Sequence, residues 1–153
     1  VTVVCFHGFG ASSLSWEDLL PSLPEALAPC RAVLCPDQMG FGLTERVPLP
    51  LDAPKLLGAP VRGLAGRSAR QAARDLEPDQ AYSLPGNAVL ASALAEAELE
   101  GKGPAKAPEE LVVMGHSMGA IAAAAFAAEE SSRRPVTLIL ESPAFLGGPA
   151  QGP

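Results

Sequence analysis

Histidine is scarce in this chain, with two in 153 residues. Any imidazole base or ligand within it must therefore be His7 or His116. The three cysteines, Cys5, Cys30 and Cys35, are odd in number, and their spacing fits neither a zinc site nor a redox pair. Buried free thiols are expected, which favours a reducing compartment. A Cys5 to Cys35 bridge would require two strands to align them. No cofactor or metal motif is evident. Long hydrophobic runs are missing too: the longest candidate, around residues 120–128, is mostly alanine and stops at Glu129 and Glu130, well short of the roughly 20 residues a spanning helix needs. Positive charge is the minority, with 11 Lys and Arg against 17 Asp and Glu, a net charge of -6 and a pI near 4.9. With no cluster of basic and aromatic residues, nucleic acid is not an expected partner.

What is present is a globular composition. An apolar fraction of 48% argues against disorder, and the length suits one domain with a sizeable core. Position 1 is Val, inside the apolar run Val1 to Phe6, so the chain is expected to begin within a domain, with any targeting segment upstream.

The run Val1 to Phe6 predicts a buried strand ending in the loop His7-Gly8-Phe9-Gly10-Ala11-Ser12-Ser13. A short helix capped by Ser15 is expected next, with Trp16, Leu19 and Leu20 on its apolar face and Pro21 and Pro24 limiting it. Residues 31–35 predict a second strand, followed by the turn-rich Pro36-Asp37-Gln38-Met39-Gly40-Phe41-Gly42. From about 47 to 79 the chain is rich in proline and arginine and resembles an insertion, with a helix over 64–76. A clearer helix is predicted over 87–100, placing Leu90, Leu94 and Ala97 on one face. The strand 111–114, a helix over 118–130 followed by Arg133 and Arg134, and a last strand over 136–140 complete the pattern. Strands that alternate with helices and run as near-continuous apolar stretches predict a parallel sheet covered on both faces.

One pentapeptide stands out against this background. Gly115-His116-Ser117-Met118-Gly119 is entered from Leu111-Val112-Val113-Met114 and left through an alanine-rich run. It reads as strand, sharp turn and helix, with Ser117 at the turn and a glycine two residues to either side where a bulky neighbour would not fit. A serine there meets the free amides and positive end of a helix dipole, which suit an oxyanion. Acyl transfer needs two donors to that oxyanion. The amide of Met118 is one, and the glycine-rich loop after the first strand offers the amide of Phe9 as the second.

The three motifs His-Gly-Phe-Gly, Asp37 to Gly42 and Gly-His-Ser-Met-Gly, each after a strand and in this order, resemble the α/β-hydrolase fold superfamily. The likeness covers most of the chain apart from 47–79, which is longer than the family usually carries there. It implies a doubly wound parallel α/β sheet, here partial and truncated at both ends, so that residues 1–153 correspond to the amino-terminal half of a catalytic domain. It also implies a nucleophile, acid and base in that chain order. The family's base lies after its last strand, and neither His7 nor His116 matches it. The expected activity is hydrolysis of an ester or related acyl bond of a small molecule through acyl-Ser117, with the isolated chain inactive for want of its base and acid.

Other readings of single residues stay open at this point. Glu141 closes the last strand near the active edge and is either the acid or a solvated strand end. His7 is a base or a loop-packing imidazole, and Asp37 an acid or a loop brace. Trp16 and Phe41 line a pocket or pack the core. Small residues over 120–128 allow a helix to approach the sheet closely. At the level of function, an acyltransferase or thioesterase would use the same serine, and a catalytically incomplete relative would serve as a binding module. Epoxide and haloalkane chemistry are disfavoured, because relatives with those activities carry Asp where this chain has Ser117.

Overall fold

The structure, a computed structural model of the chain, describes residues 1–27, 29–44, 46, 69–76, 78–100 and 110–144. Among these, four strands form one parallel sheet: β1 (Thr2–Phe6), β2 (Ala32–Leu34), β3 (Leu111–His116) and β4 (Val136–Glu141), in the order β2-β1-β3-β4. Thr2 faces Ala32 on one side and Leu111 on the other, and Leu111 faces Val136. The helices are α1 (Leu23–Ala26), α2 (Ala69–Arg74), α3 (Pro78–Ala81), α4 (Leu84–Glu100) and α5 (Gly119–Glu130). The parallel α/β architecture expected from the alternation is therefore observed.

Alternation along the strands divides the core into two layers. Val4, Phe6, Leu111 and Val113 face α4 and α5, meeting Ala91, Ala95, Ala122, Ala123 and Phe126. Phe6 and Phe126 are fully buried, their ring centroids 5.7 Å apart in a tilted pair. On the opposite face, Val3, Cys5 and Val112 meet Trp16 and Leu23. The connection from β1 to β2 covers this second face, whereas the connections through α4 and α5 cover the first. Loops leaving β1 and β3 thus diverge to opposite faces of the sheet, which makes the carboxyl ends of these two neighbours a topological switch point, the place where open α/β sheets form their crevice.

Several local expectations are corrected. The segment after the first loop is not one helix capped by Ser15. It is two 3-10 turns, Ser13–Trp16 and Leu20–Ser22, followed by α1. Ser12 is the cap, accepting from the Leu14 amide at 3.3 Å. Pro21 and Pro24 each sit in the first turn of the element they begin, where a missing N–H costs nothing. Helix α4 starts three residues before the expected 87, and its core face is Ala88, Ala91 and Ala95 rather than Leu90, Leu94 and Ala97. Leu94 and Ala97 are exposed. Polar residues fall on more than one side of the helix, with Asn87 and Ser92 buried, so periodicity selects no face; packing against alanine-rich α5 buries the small residues instead. The insertion expected over 47–79 lies outside the described residues except for 69–76, 78 and 79. Of the helix expected over 64–76, the described part is α2, whose Ala72 packs on Val89 of α4.

Helix α5 runs one residue shorter than the predicted 118–130. At its end Glu130 is 1% exposed, with Arg134 Nε at 3.0 Å and Arg133 Nη1 at 3.1 Å from its carboxylate. The two arginines thus neutralise a buried carboxylate as well as suiting the helix terminus.

Candidate functional site

The loop after β1 and the turn after β3 meet at the switch point. Gly8 lies against the elbow so closely that a Cβ on it would stand 3.0 Å from His116 Nδ1 and 3.2 Å from Ser117 Cβ. Gly119, the first residue of α5, passes β1 with no room for a side chain: a Cβ there would collide with the carbonyl oxygens of Phe6 and His7. At Gly115 a Cβ would reach 2.6 Å from Ala123 Cβ and 2.7 Å from Ala120 Cα. The two glycines of the pentapeptide therefore have distinct tasks, one letting the helix turn back over its own strand and the other letting it pass β1.

Ser117 itself has φ of 52°, in the left-handed region that a residue with a Cβ rarely occupies. Such a conformation costs about 1–3 kcal/mol and persists only where surroundings hold it. Here three main-chain hydrogen bonds do so. The Ser117 amide donates to Glu141 O at 3.0 Å, and the Ser117 carbonyl accepts from Ala120 at 3.1 Å and Ala144 at 3.1 Å. The end of β4 thereby clamps the turn that follows β3.

His7 is fully buried, and both of its ring nitrogens are engaged. Nε2 accepts from the Gln38 amide at 2.9 Å, so the proton is assigned to Nδ1, which donates to Gly8 O at 2.8 Å. The Gln38 side-chain amide donates to His7 O. This ring is a loop-packing imidazole that ties the strand ends of β1 and β2 together. Gln38 was not singled out by sequence reasoning; its only signal is a polar residue between a strand and a glycine-rich turn. Asn87 was overlooked in the same way: it is buried, and its Oδ1 accepts from the Met39 amide at 2.7 Å.

Asp37 is a brace. Its carboxylate accepts from the Ser13 amide at 2.6 Å and the Leu43 amide at 2.9 Å. Burial pulls its pKa upward, but the hydrogen bonds from Leu43 and Ser13 outweigh that and hold it below the ordinary value of 3.8. Gly42, at φ of 55°, turns the chain directly over this carboxylate. Phe41 packs edge-on against His7 at 5.7 Å and against Phe9 at 5.4 Å between centroids. Phe9 is otherwise exposed.

A cleft of about 230 Å³ opens beside the elbow, lined by His7, Ala11, Ser15, Trp16, His116 and Glu141. Trp16 is 5% exposed and belongs chiefly to the core, although it also lines this cleft. Glu141 is exposed and stands opposite His116 in the register of β3 and β4. Among the described residues, neither imidazole hydrogen-bonds the Ser117 hydroxyl, and no group of three or more His, Cys, Asp or Glu is arranged to hold a metal ion. No helix among them is long and apolar enough to cross a membrane.

A parallel α/β sheet with a left-handed serine between a strand and a helix at the switch point defines a class, the α/β hydrolases. The comparison with family models agrees: the alpha/beta hydrolase family matches residues 3–153, and the chain belongs to that family. No curated protein matches the chain. Membership supports a hydrolase-type function and a small-molecule substrate.

Proposed function

We propose that this is the nucleophile-bearing part of a serine hydrolase that cleaves a carboxylic ester or related acyl bond through an acyl-Ser117 intermediate. The observation that carries the reading is the left-handed Ser117, held at the switch point by three main-chain hydrogen bonds from flanking elements. Glycine would relieve the strain at this position, but a nucleophile needs the hydroxyl that glycine lacks. In this reading Ser117 attacks the acyl carbon, and the amides of Phe9 and Met118 stabilise the oxyanion. What supports the pairing of those two amides is the seating of Gly8 against Ser117, which brings the loop carrying Phe9 to the start of α5. Metal and cofactor play no part in the proposed reaction.

The test is hydrolysis of a short activated aryl ester by the whole protein, with the acylated residue trapped in acid and located by mass spectrometry. Ser117→Ala is expected to abolish turnover and acyl trapping. Unchanged turnover in that variant overturns the assignment. For the 153-residue chain alone we expect negligible turnover, because a serine hydroxyl without a general base is a poor nucleophile. Robust Ser117-dependent turnover by that chain would overturn this expectation.

One observation favours a second reading, a binding module without catalysis: His7 is held by Gly8 and Gln38, and His116 makes no bond to Ser117 among the described residues. The same trapping experiment on the whole protein separates the two, because a binding module leaves Ser117 unacylated. An acyltransferase or thioesterase would acylate Ser117 and differ only in the acceptor or donor, which a carrier-bound acyl thioester resolves by its products.

A further inference from the structure

The register of β1 and β2 brings together two thiols that the proposed chemistry does not use. Val3 faces Val33 and Val4 faces Leu34, so the next step along both strands sets Cys5 beside Cys35. The two side chains share a face, since both pack with Val3 and Trp16 on the side away from α5. Residues directly opposed on neighbouring strands stand about 4.8 Å apart, inside the range of Cα separations that a disulfide spans. Both cysteines are free thiols, unbridged in the structure.

Their environments differ. Cys5 is fully buried, and Cys35 is half-buried at the end of β2. The neighbouring Cys5 thiol favours the Cys35 thiolate and outweighs burial, holding Cys35 below the ordinary thiol range, whereas the neighbouring Cys35 and burial push Cys5 upward. Cys30 has a separate partner, the carbonyl of Ala32 at 3.8 Å from its sulfur.

We propose that Cys5 and Cys35 form a reversible oxidation site, with Cys35 the thiol that reacts with a hydroperoxide and Cys5 the thiol that resolves it. In the first step the Cys35 thiolate attacks a peroxide oxygen. An S–O bond forms, the O–O bond breaks, and the departing hydroxide takes a proton to leave as water. In the second, the Cys5 sulfur attacks the Cys35 sulfenic sulfur, an S–S bond forms, the S–O bond breaks, and the Cys5 proton leaves with the hydroxyl as a second water. Two thiols lose two electrons and one hydrogen peroxide is reduced to two waters. A thiol reductant reverses it by exchange.

The bridge would lie two residues before His7 on one strand and two before Asp37 on the other. It would therefore join covalently the same two strand ends that the Gln38 and His7 hydrogen bonds already tie. In a reducing compartment the pair rests as thiols, and a peroxide pulse converts it.

The test treats the chain with hydrogen peroxide at neutral pH and low protein concentration, then counts free thiols after denaturation and maps peptides without reduction. The expected result is a fall from three free thiols to one, with the missing two hydrogens located in a Cys5 to Cys35 cross-linked peptide and restored by dithiothreitol. Cys30→Ser should lose its remaining thiols at an unchanged rate, and Cys35→Ser should form no intramolecular bridge. The mapping in the unsubstituted chain needs no variant to fold. Retention of all three thiols, or a bridge that contains Cys30, overturns the proposal.

Discussion

Strands β1 and β4 are near-equals in composition and opposites in environment. Thr2-Val3-Val4-Cys5-Phe6 is buried at every residue, while Val136-Thr137-Leu138-Ile139-Leu140-Glu141 is exposed at every residue but the first. Both pair in parallel with β3. The difference is cover: β1 has β2 on its far side and helices or turns on both faces, whereas among the described residues only α5 packs on β4. Apolar content therefore marks a strand of a parallel sheet without saying how much of it the fold buries. The candidate site lies across this boundary. Its loop from β1 and its elbow from β3 are braced on the covered side by His7, Gln38 and Asp37, and β4 reaches it through Glu141, whose carbonyl accepts from the Ser117 amide and which lines the cleft.

The contrast can be broken by substitution. On the covered side, Phe126→Ala removes a fully buried ring tilted against Phe6 and is expected to cost about 3–5 kcal/mol in chemical denaturation. Gly119→Ala comes next. Its methyl would press on the Phe6 and His7 carbonyls, and the required backbone shift should cost about 1–3 kcal/mol while also moving the elbow. The combined signature is lower stability and weaker acyl trapping on Ser117; a variant equal to the parent in both would mean the helix does not approach β1 as described.

Asp37→Asn ranks third, at about 1.5 kcal/mol, because a neutral amide replaces a carboxylate accepting two main-chain bonds. The pH dependence sharpens this. The folded-state pKa of Asp37 is depressed, so its contribution is complete above the ordinary carboxyl value of 3.8 and disappears as pH falls through the lowered one. The stability gap between Asp37→Asn and the parent should therefore close in acid, measured by urea titration at a series of pH values. A gap that widens in acid would reverse the sign assigned to this group. The smallest effect belongs to β4: Leu138→Ala should cost less than about 1 kcal/mol, since Leu138 is 40% exposed. A loss approaching that of Phe126→Ala would show β4 to be covered and remove the contrast.

Much of the site was legible beforehand because its residues are constrained by backbone geometry. Gly115, Ser117 and Gly119 announce a strand-turn-helix, and the collisions that a Cβ would meet at both glycines explain why those positions read so clearly. The bracing beneath was not legible. Gln38 and Asn87 hold loops that lie 31 and 48 residues away from them in sequence, and a polar side chain carries no mark of a distant partner. The core face of α4 was misread for a related reason. Leucine is the larger hydrophobe, but the residues that α4 buries in the cluster with α5 and the sheet are Ala91 and Ala95.

By itself the amino-acid sequence determined the alternation of strands and helices, the parallel sheet that such alternation requires, and the serine turn, because each depends on neighbours within a few residues. Tertiary structure alone decided that β1 and β3 are adjacent with diverging connections, that His7 is held by Gln38 instead of facing Ser117, and that Cys5 meets Cys35. Those facts depend on strand order and register, which arise from the packing of segments far apart in the chain.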